Sequence, residues 1–138
     1  MEKETNAGNS TTIGFVRVRK RKLTGKTASV SYDLVRAVRV NGKPRHKFVM
    51  TLGSQKNTLQ GCGLADFWMS FFLRKQRDRG LSKDQCWDIA RKMIAKGARL
   101  PTLDSCKRYK ETLPPNSVRT PGIDEAIAFI EARKRLRT

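Results

Sequence analysis

Residues 28–52 read ASVSYDLVRAVRVNGKPRHKFVMTL, and the run TIGFVRVRKRK at residues 12–22 precedes them. Apolar and polar residues alternate with period two through both stretches. Val, Phe, Tyr and Thr are abundant, as half-buried strands require. Two short turn signals interrupt the alternation, Leu23-Thr24-Gly25-Lys26 and Val40-Asn41-Gly42-Lys43. The pattern predicts a three-stranded antiparallel meander beginning near Thr12.

Turn geometry sets the expected register. A type I turn followed by a left-handed glycine, a G1 bulge, pairs Lys22 with Lys26 and Arg39 with Lys43. Val18 then opposes Val30, Val16 opposes Tyr32, Leu34 opposes Phe48 and Tyr32 opposes Met50, so the large even-numbered side chains share one face. A two-residue type I′ turn at Asn41-Gly42 would instead turn Phe48, Met50 and Leu52 to the other side, because a one-residue slip inverts a strand. Core consistency favours the bulged turn. On that register the odd face carries Phe15, Arg17, Arg19, Arg21, Arg39, Arg45, Lys47 and Val49, and Asp33 is its only acid.

Helical periodicity follows. Leu64, Phe67, Trp68, Phe71 and Phe72 form an apolar stripe from Leu64 to Arg79, stopped by Gly80, and this helix is expected to cover the sheet. The predicted core sets Trp68 and Phe71 against Tyr32, Leu34 and Phe48. Ser82-Lys83-Asp84-Gln85 has the form of a capping box opening a second helix that ends near Gly97. Thr102 can cap a third helix, Leu103 to Leu113, and a fourth runs from about Ile123 to Arg135. The expected class is α+β: a three-stranded antiparallel meander packed on a helix, followed by a small helical C-terminal part. Residues 1–11 read as a flexible tail, 12–80 as a basic sheet with its helix, and 81–138 as a helical region that could form one domain with the part before it.

Charge indicates the partner class. The chain has 138 residues, 30 Lys+Arg against 12 Asp+Glu, and a formal net charge of +18. Such an excess of one sign repels itself unless a polyanion neutralises it, so nucleic acid is the expected partner. Every second residue of a strand repeats at about 6.6–6.8 Å, close to the spacing of successive phosphates, so cations on one strand face can track a nucleic-acid backbone. The expected contacts are Arg17, Arg19, Arg21, Lys22, Lys26, Arg39, Arg45 and Lys47. A helix-turn-helix over Gln85–Leu113, with Lys107, Arg108 and Lys110 on its second helix, is the competing geometry, although its connection is longer than usual.

The segment Tyr32-Asp33-Leu34-Val35, with Gly42-Lys43-Pro44-Arg45 and the strand closing at Leu52-Gly53, resembles the opening of insertion-sequence DDE transposases. There a Y-x-L-V strand, a G-K-x-R turn and a strand ending in L-G stand ahead of the catalytic domain. The resemblance covers residues 32–53 and implies a small DNA-associated module from a mobile-element setting. No room follows Gly53 for the RNase-H-like domain, so no catalytic residues are carried over. In pattern, the meander is also similar to the arm-binding domains of tyrosine recombinases, which insert a three-stranded sheet into the major groove.

Signatures of catalysis are not found in the sequence. His46 is the single histidine and stands between Arg45 and Lys47, a setting for phosphate contact or a solvated edge. Cys62, Cys86 and Cys106 fit neither a zinc ribbon nor a disulfide framework and read as buried helical thiols. Gly61-Cys62-Gly63 lacks the Lys-Ser/Thr of a P-loop. The expectation is a non-enzymatic, cofactor-free, metal-free cytoplasmic protein, with no transmembrane segment or signal peptide. DNA is favoured over RNA, and the helical region is where a protein partner would bind. The alternative is an RNA- or ribonucleoprotein-binding protein, or a small basic inhibitor of a host protein complex.

Overall fold

The computed structural model describes residues 14–22 and 28–136. Its elements are β1 (Phe15–Lys22), β2 (Ala28–Val40), β3 (Lys43–Lys56), α1 (Cys62–Arg77), α2 (Lys83–Ala95), α3 (Leu103–Glu111) and α4 (Thr120–Leu136). The strands form one antiparallel sheet in the order β1-β2-β3. The class is therefore the expected α+β meander with a helical C-terminal part. Residues 1–11, expected as a tail, and the first turn with Lys26 lie outside the described residues.

The register departs from expectation in both hairpins. Between β1 and β2, Val16 faces Leu34 and Val18 faces Tyr32. This is a slip of two residues, which preserves the faces. Between β2 and β3 the difference has larger consequences. Asn41 and Gly42 both have positive φ, 54° and 76°, and Val40 pairs directly with Lys43. That is a two-residue turn of the I′ type, whose twist suits a hairpin better than a type I turn does. The bulge assigned to this turn lies further along β3. Val35 faces Phe48 while Leu34 faces Met50, and Asp33 faces Thr51 while Tyr32 faces Gly53. Val49 and Leu52 are thus the inserted residues of two β-bulges. The first insertion reverses the alternation of β3, so Met50 and Leu52 reach the core although the turn is tight.

The expected segregation of odd and even positions is corrected accordingly. Phe48 pairs on the outer face and is 55% exposed instead of packing under α1. Arg45 and Lys47 pair with Val38 and Arg36, on the face that carries Tyr32 and Leu34. Asp33 and Val35, expected in solvent, are buried at 1% and 0% exposure.

The core is one cluster drawn from the sheet and all four helices. Val16, Tyr32, Leu34, Met50 and Leu52 meet Trp68, Phe71 and Phe72 of α1, with Ile89 and Met93 of α2, Cys106 of α3 and Phe129 of α4. Trp68 stacks edge-on to Phe67 and Phe71, and Phe72 continues the aromatic run to Phe129. The stripe read from α1 is therefore core. Gly53 has φ 122°, and a Cβ there would lie 2.9 Å from the Phe67 ring, so the glycine lets α1 approach the bulged strand. The Ser82–Gln85 capping box is complete, and the Thr102 side chain accepts from the Ser105 N–H.

Residues 96–102 join α2 to α3 without forming a helix-turn-helix. The Gln55 side chain, buried on β3, accepts from the Arg99 N–H at 2.9 Å and donates to the Arg99 carbonyl at 3.1 Å. Trp68 Nε1 donates to the same carbonyl at 2.8 Å. The Arg99 guanidinium donates to the Lys56 and Leu59 carbonyls. This lock pins the connection to the end of β3, and α3 packs mainly on α4 and α1. Cys106 and Tyr109 point into that packing and are buried.

Candidate nucleic-acid interface

β1 begins opposite Val35, whereas β2 and β3 continue pairing to Val40 and Lys43. Among the described residues, no third strand accompanies the hairpin beyond Val35. A two-stranded ribbon of five residues per strand results, roughly 17 Å long at the rise of an antiparallel strand. Every residue from Arg39 to Phe48 is exposed. Between Arg36 and Lys47 the sequence holds Arg36, Arg39, Lys43, Arg45 and Lys47 and no acid.

The I′ turn distributes these cations. Pairing places Arg36 beside Lys47, Val38 beside Arg45 and Val40 beside Lys43, so four cations share the ribbon face that continues the core side of the sheet. Lys43, Arg45 and Lys47 repeat along one strand at the phosphate-like interval of about 6.6–6.8 Å. Arg39 lies on the opposite face beside Pro44. Arg39 donates to the Gly42 carbonyl at 3.1 Å and Arg45 to the Pro44 carbonyl at 3.2 Å, and neither meets a carboxylate among the described residues.

The outer face of the three-stranded part is less cationic than its sequence suggests. Asp33 is buried beneath two arginines: Arg19 donates to its carboxylate through Nε at 2.7 Å and Nη2 at 3.2 Å, and Arg17 stands at 3.5 Å. Burying the carboxylate requires such partners, since an unpaired buried charge is costly. The three groups together carry +1. Arg17 and Arg19 remain 44% and 60% exposed, so their outer edges are accessible to a ligand. Arg21 follows on the same face, exposed, opposite Ser29. The Lys22 side chain and all of Lys26 lie outside the described residues.

The predicted contacts therefore fall into two groups. Arg17, Arg19, Arg21 and Arg39 lie on the outer face, whereas Arg45 and Lys47 lie on the other. Arg36 and Lys43, absent from the predicted set, join the second group. Their signal was the acid-free run on both sides of Asn41-Gly42. Phe15 and His46 lie on the outer face with Phe48, their ring centroids 5.0 Å apart at 76°.

In the helical region some of the cations are paired with acids. Arg108 pairs with Asp104, Lys110 with Asp124 at 2.7 Å, and Lys92 with Asp88 at 3.0 Å while also donating to the Gly14 carbonyl. Trp87 Nε1 donates to Glu125. Of the three free thiols, Cys86 and Cys106 are buried and Cys62 is exposed at the first position of α1, which corrects the expectation that all three are buried. Desolvation, reinforced by Glu125, pushes Cys86 up to about 11, and burial beside Cys62 does the same to Cys106. Neither is a thiolate near neutral pH. Burial and the hydrogen bond to Asp66 hold the Tyr109 hydroxyl up to about 12.

Among the described residues, no cluster of three or more His, Cys, Asp and Glu could hold a metal ion. No helix among them is long and apolar enough to cross a membrane. In comparisons with protein-family models, curated proteins and solved structures, nothing matches the chain.

Proposed function

We propose that this chain is a non-enzymatic nucleic-acid-binding protein that engages duplex DNA through its basic sheet and hairpin ribbon, in the cytoplasm of a cell carrying a mobile element, plasmid or phage. The observation that carries the reading is the acid-free ribbon, with Lys43, Arg45 and Lys47 in alternate positions on one strand and Arg36 beside them. A two-stranded ribbon fits the major groove of B-form DNA, which is about 12 Å wide, while the deep, narrow major groove of A-form RNA excludes it. Lysines and arginines on the ribbon supply backbone attraction and, at base edges, the capacity to read guanine. The remaining charge steers association without adding specificity.

Fluorescence anisotropy with a 20-base-pair DNA duplex, an RNA hairpin and an acidic protein tests this. Tightest binding to the duplex is expected. Preference for the RNA hairpin would move the chain to a structural RNA-binding role, and binding to the acidic protein alone would remove nucleic acid from its function. Nuclease digestion of material purified with a raised 260/280 nm absorbance ratio identifies what travels with the protein.

A further inference from the structure

The outer sheet face carries an aromatic row that the ribbon reading leaves unused. Phe15 on β1 and Phe48 on β3 both pair with Val35, the one residue between them. Val35 is fully buried, whereas Phe15 is 38% and Phe48 55% exposed. His46, two residues from Phe48, packs edge-on against Phe15. The backbones of Phe15 and Phe48 are two strand spacings apart, roughly 10 Å, about what one to two nucleotides of an extended strand cover. Cations flank the row: Arg17 follows Phe15 by one side-chain repeat, and Arg39 follows Ala37, the partner of His46.

We propose that Phe15, His46 and Phe48 form a stacking site for unpaired nucleobases, with Arg17 and Arg39 holding the flanking phosphates. The proposal rests on the nucleic-acid reading and adds a single-stranded ligand on the face opposite the ribbon's four cations. Exposed aromatic rings on a basic sheet are the physical basis of single-strand binding, because every base has a π-face and stacking tolerates any sequence. Covering Val35 needs only apolar bulk. An aliphatic side chain would do that equally well, so the aromatic character itself can be tested.

The test uses the full chain with fluorescein-labelled ten-nucleotide single strands, one of DNA and one of RNA, beside the 20-base-pair duplex. Phe48→Leu keeps the cover over Val35 and removes the ring; Phe48→Trp keeps a ring and reports stacking by fluorescence quenching. Phe48→Leu is expected to weaken binding of at least one single strand about fivefold or more, with duplex affinity within twofold of the wild type. Phe48→Trp should keep wild-type single-strand affinity and be quenched on binding. Which oligonucleotide is affected more identifies the source of the bases. Equal single-strand affinity for the wild type and Phe48→Leu, with the duplex still bound, would overturn the stacking site and leave the ribbon reading intact. Failure of the wild type to bind any of the three ligands would overturn both.

Discussion

Asp33→Asn separates the structural from the binding role of the arginines above it. The carboxylate is 1% exposed and takes two hydrogen bonds from Arg19 and an ion pair from Arg17. Because those guanidiniums are 44% and 60% exposed, water screens the pairing, and the loss should be about 1–2 kcal/mol, below the cost of breaking a wholly buried pair. For a chain of this size that lowers the melting temperature by roughly 3–10 °C. Binding should change in the other direction. The charge of the trio rises from +1 to +2, and one more guanidinium becomes available for a phosphate. Each added phosphate contact steepens the slope of log K against log salt by about 0.9. Between 50 and 200 mM salt, Asp33→Asn should then lose about 3- to 4-fold more affinity for the duplex than the wild type, starting from tighter binding at 50 mM. Circular dichroism melting and anisotropy at three salt concentrations measure both effects. A lower melting temperature with an unchanged salt slope would show that Arg17 and Arg19 touch no phosphate of the duplex.

Gln55→Leu removes both side-chain bonds to Arg99 and leaves its N–H without an acceptor, costing about 1–3 kcal/mol; melting within 1 °C of the wild type, by a dye-based or calorimetric scan, would refute the lock. Ellman's reagent should modify one thiol per folded chain rapidly, Cys62, and the buried Cys86 and Cys106 only on unfolding; three fast thiols would contradict this. Alkali should destabilise the fold. Cys86 and Cys106 hold their protons up to about 11 and Tyr109 up to about 12 in the native state, above their ordinary values of 9.0 and 10.0. The native state therefore binds more protons than the unfolded chain from about pH 9 to 12, and stability is lost as pH rises through that window. Urea midpoints should fall slightly from pH 7 to 9 and much further by pH 11, and a constant midpoint to pH 11 would contradict the pKa directions.

Much of the fold was legible because it rests on local chemistry. The 3.6-residue stripe Leu64–Phe72, the Ser82–Gln85 box and the Thr102 cap specify their helices within a few residues, and Asn41-Gly42 marks the hairpin. Register was not legible in the same way. The even-numbered core residues of β3 require an extra residue somewhere along the strand, and alternation alone does not say where. Placing it at the turn satisfied Phe48, Met50 and Leu52 together. The chain instead places it twice, at Val49 and Leu52, between residues whose side chains pack against α1, and Phe48 falls beyond the first bulge onto the outer face. The same displacement moved Arg45 and Lys47 away from Arg17 and brought Arg36 beside them, while Lys43 shares their strand face in either register. Asp33 was read as a lone acid on a cationic face. Its burial under Arg17 and Arg19 depends on a cross-strand pair, Arg17 with Asp33, that the two-residue slip in the first hairpin created. The Gln55–Arg99 lock joins residues 44 apart and left no periodic trace.

The most direct measurement is the salt dependence of duplex binding for Arg45→Gln combined with Lys47→Gln. Both side chains are exposed on the ribbon, so the fold should survive, which a melting curve checks. If the ribbon lies against the phosphate backbone, losing two contacts flattens the slope of log K against log salt by about 1.8 and weakens binding most at low salt. A slope and affinity equal to the wild type would mean that the hairpin stays in solvent while the protein does its work elsewhere.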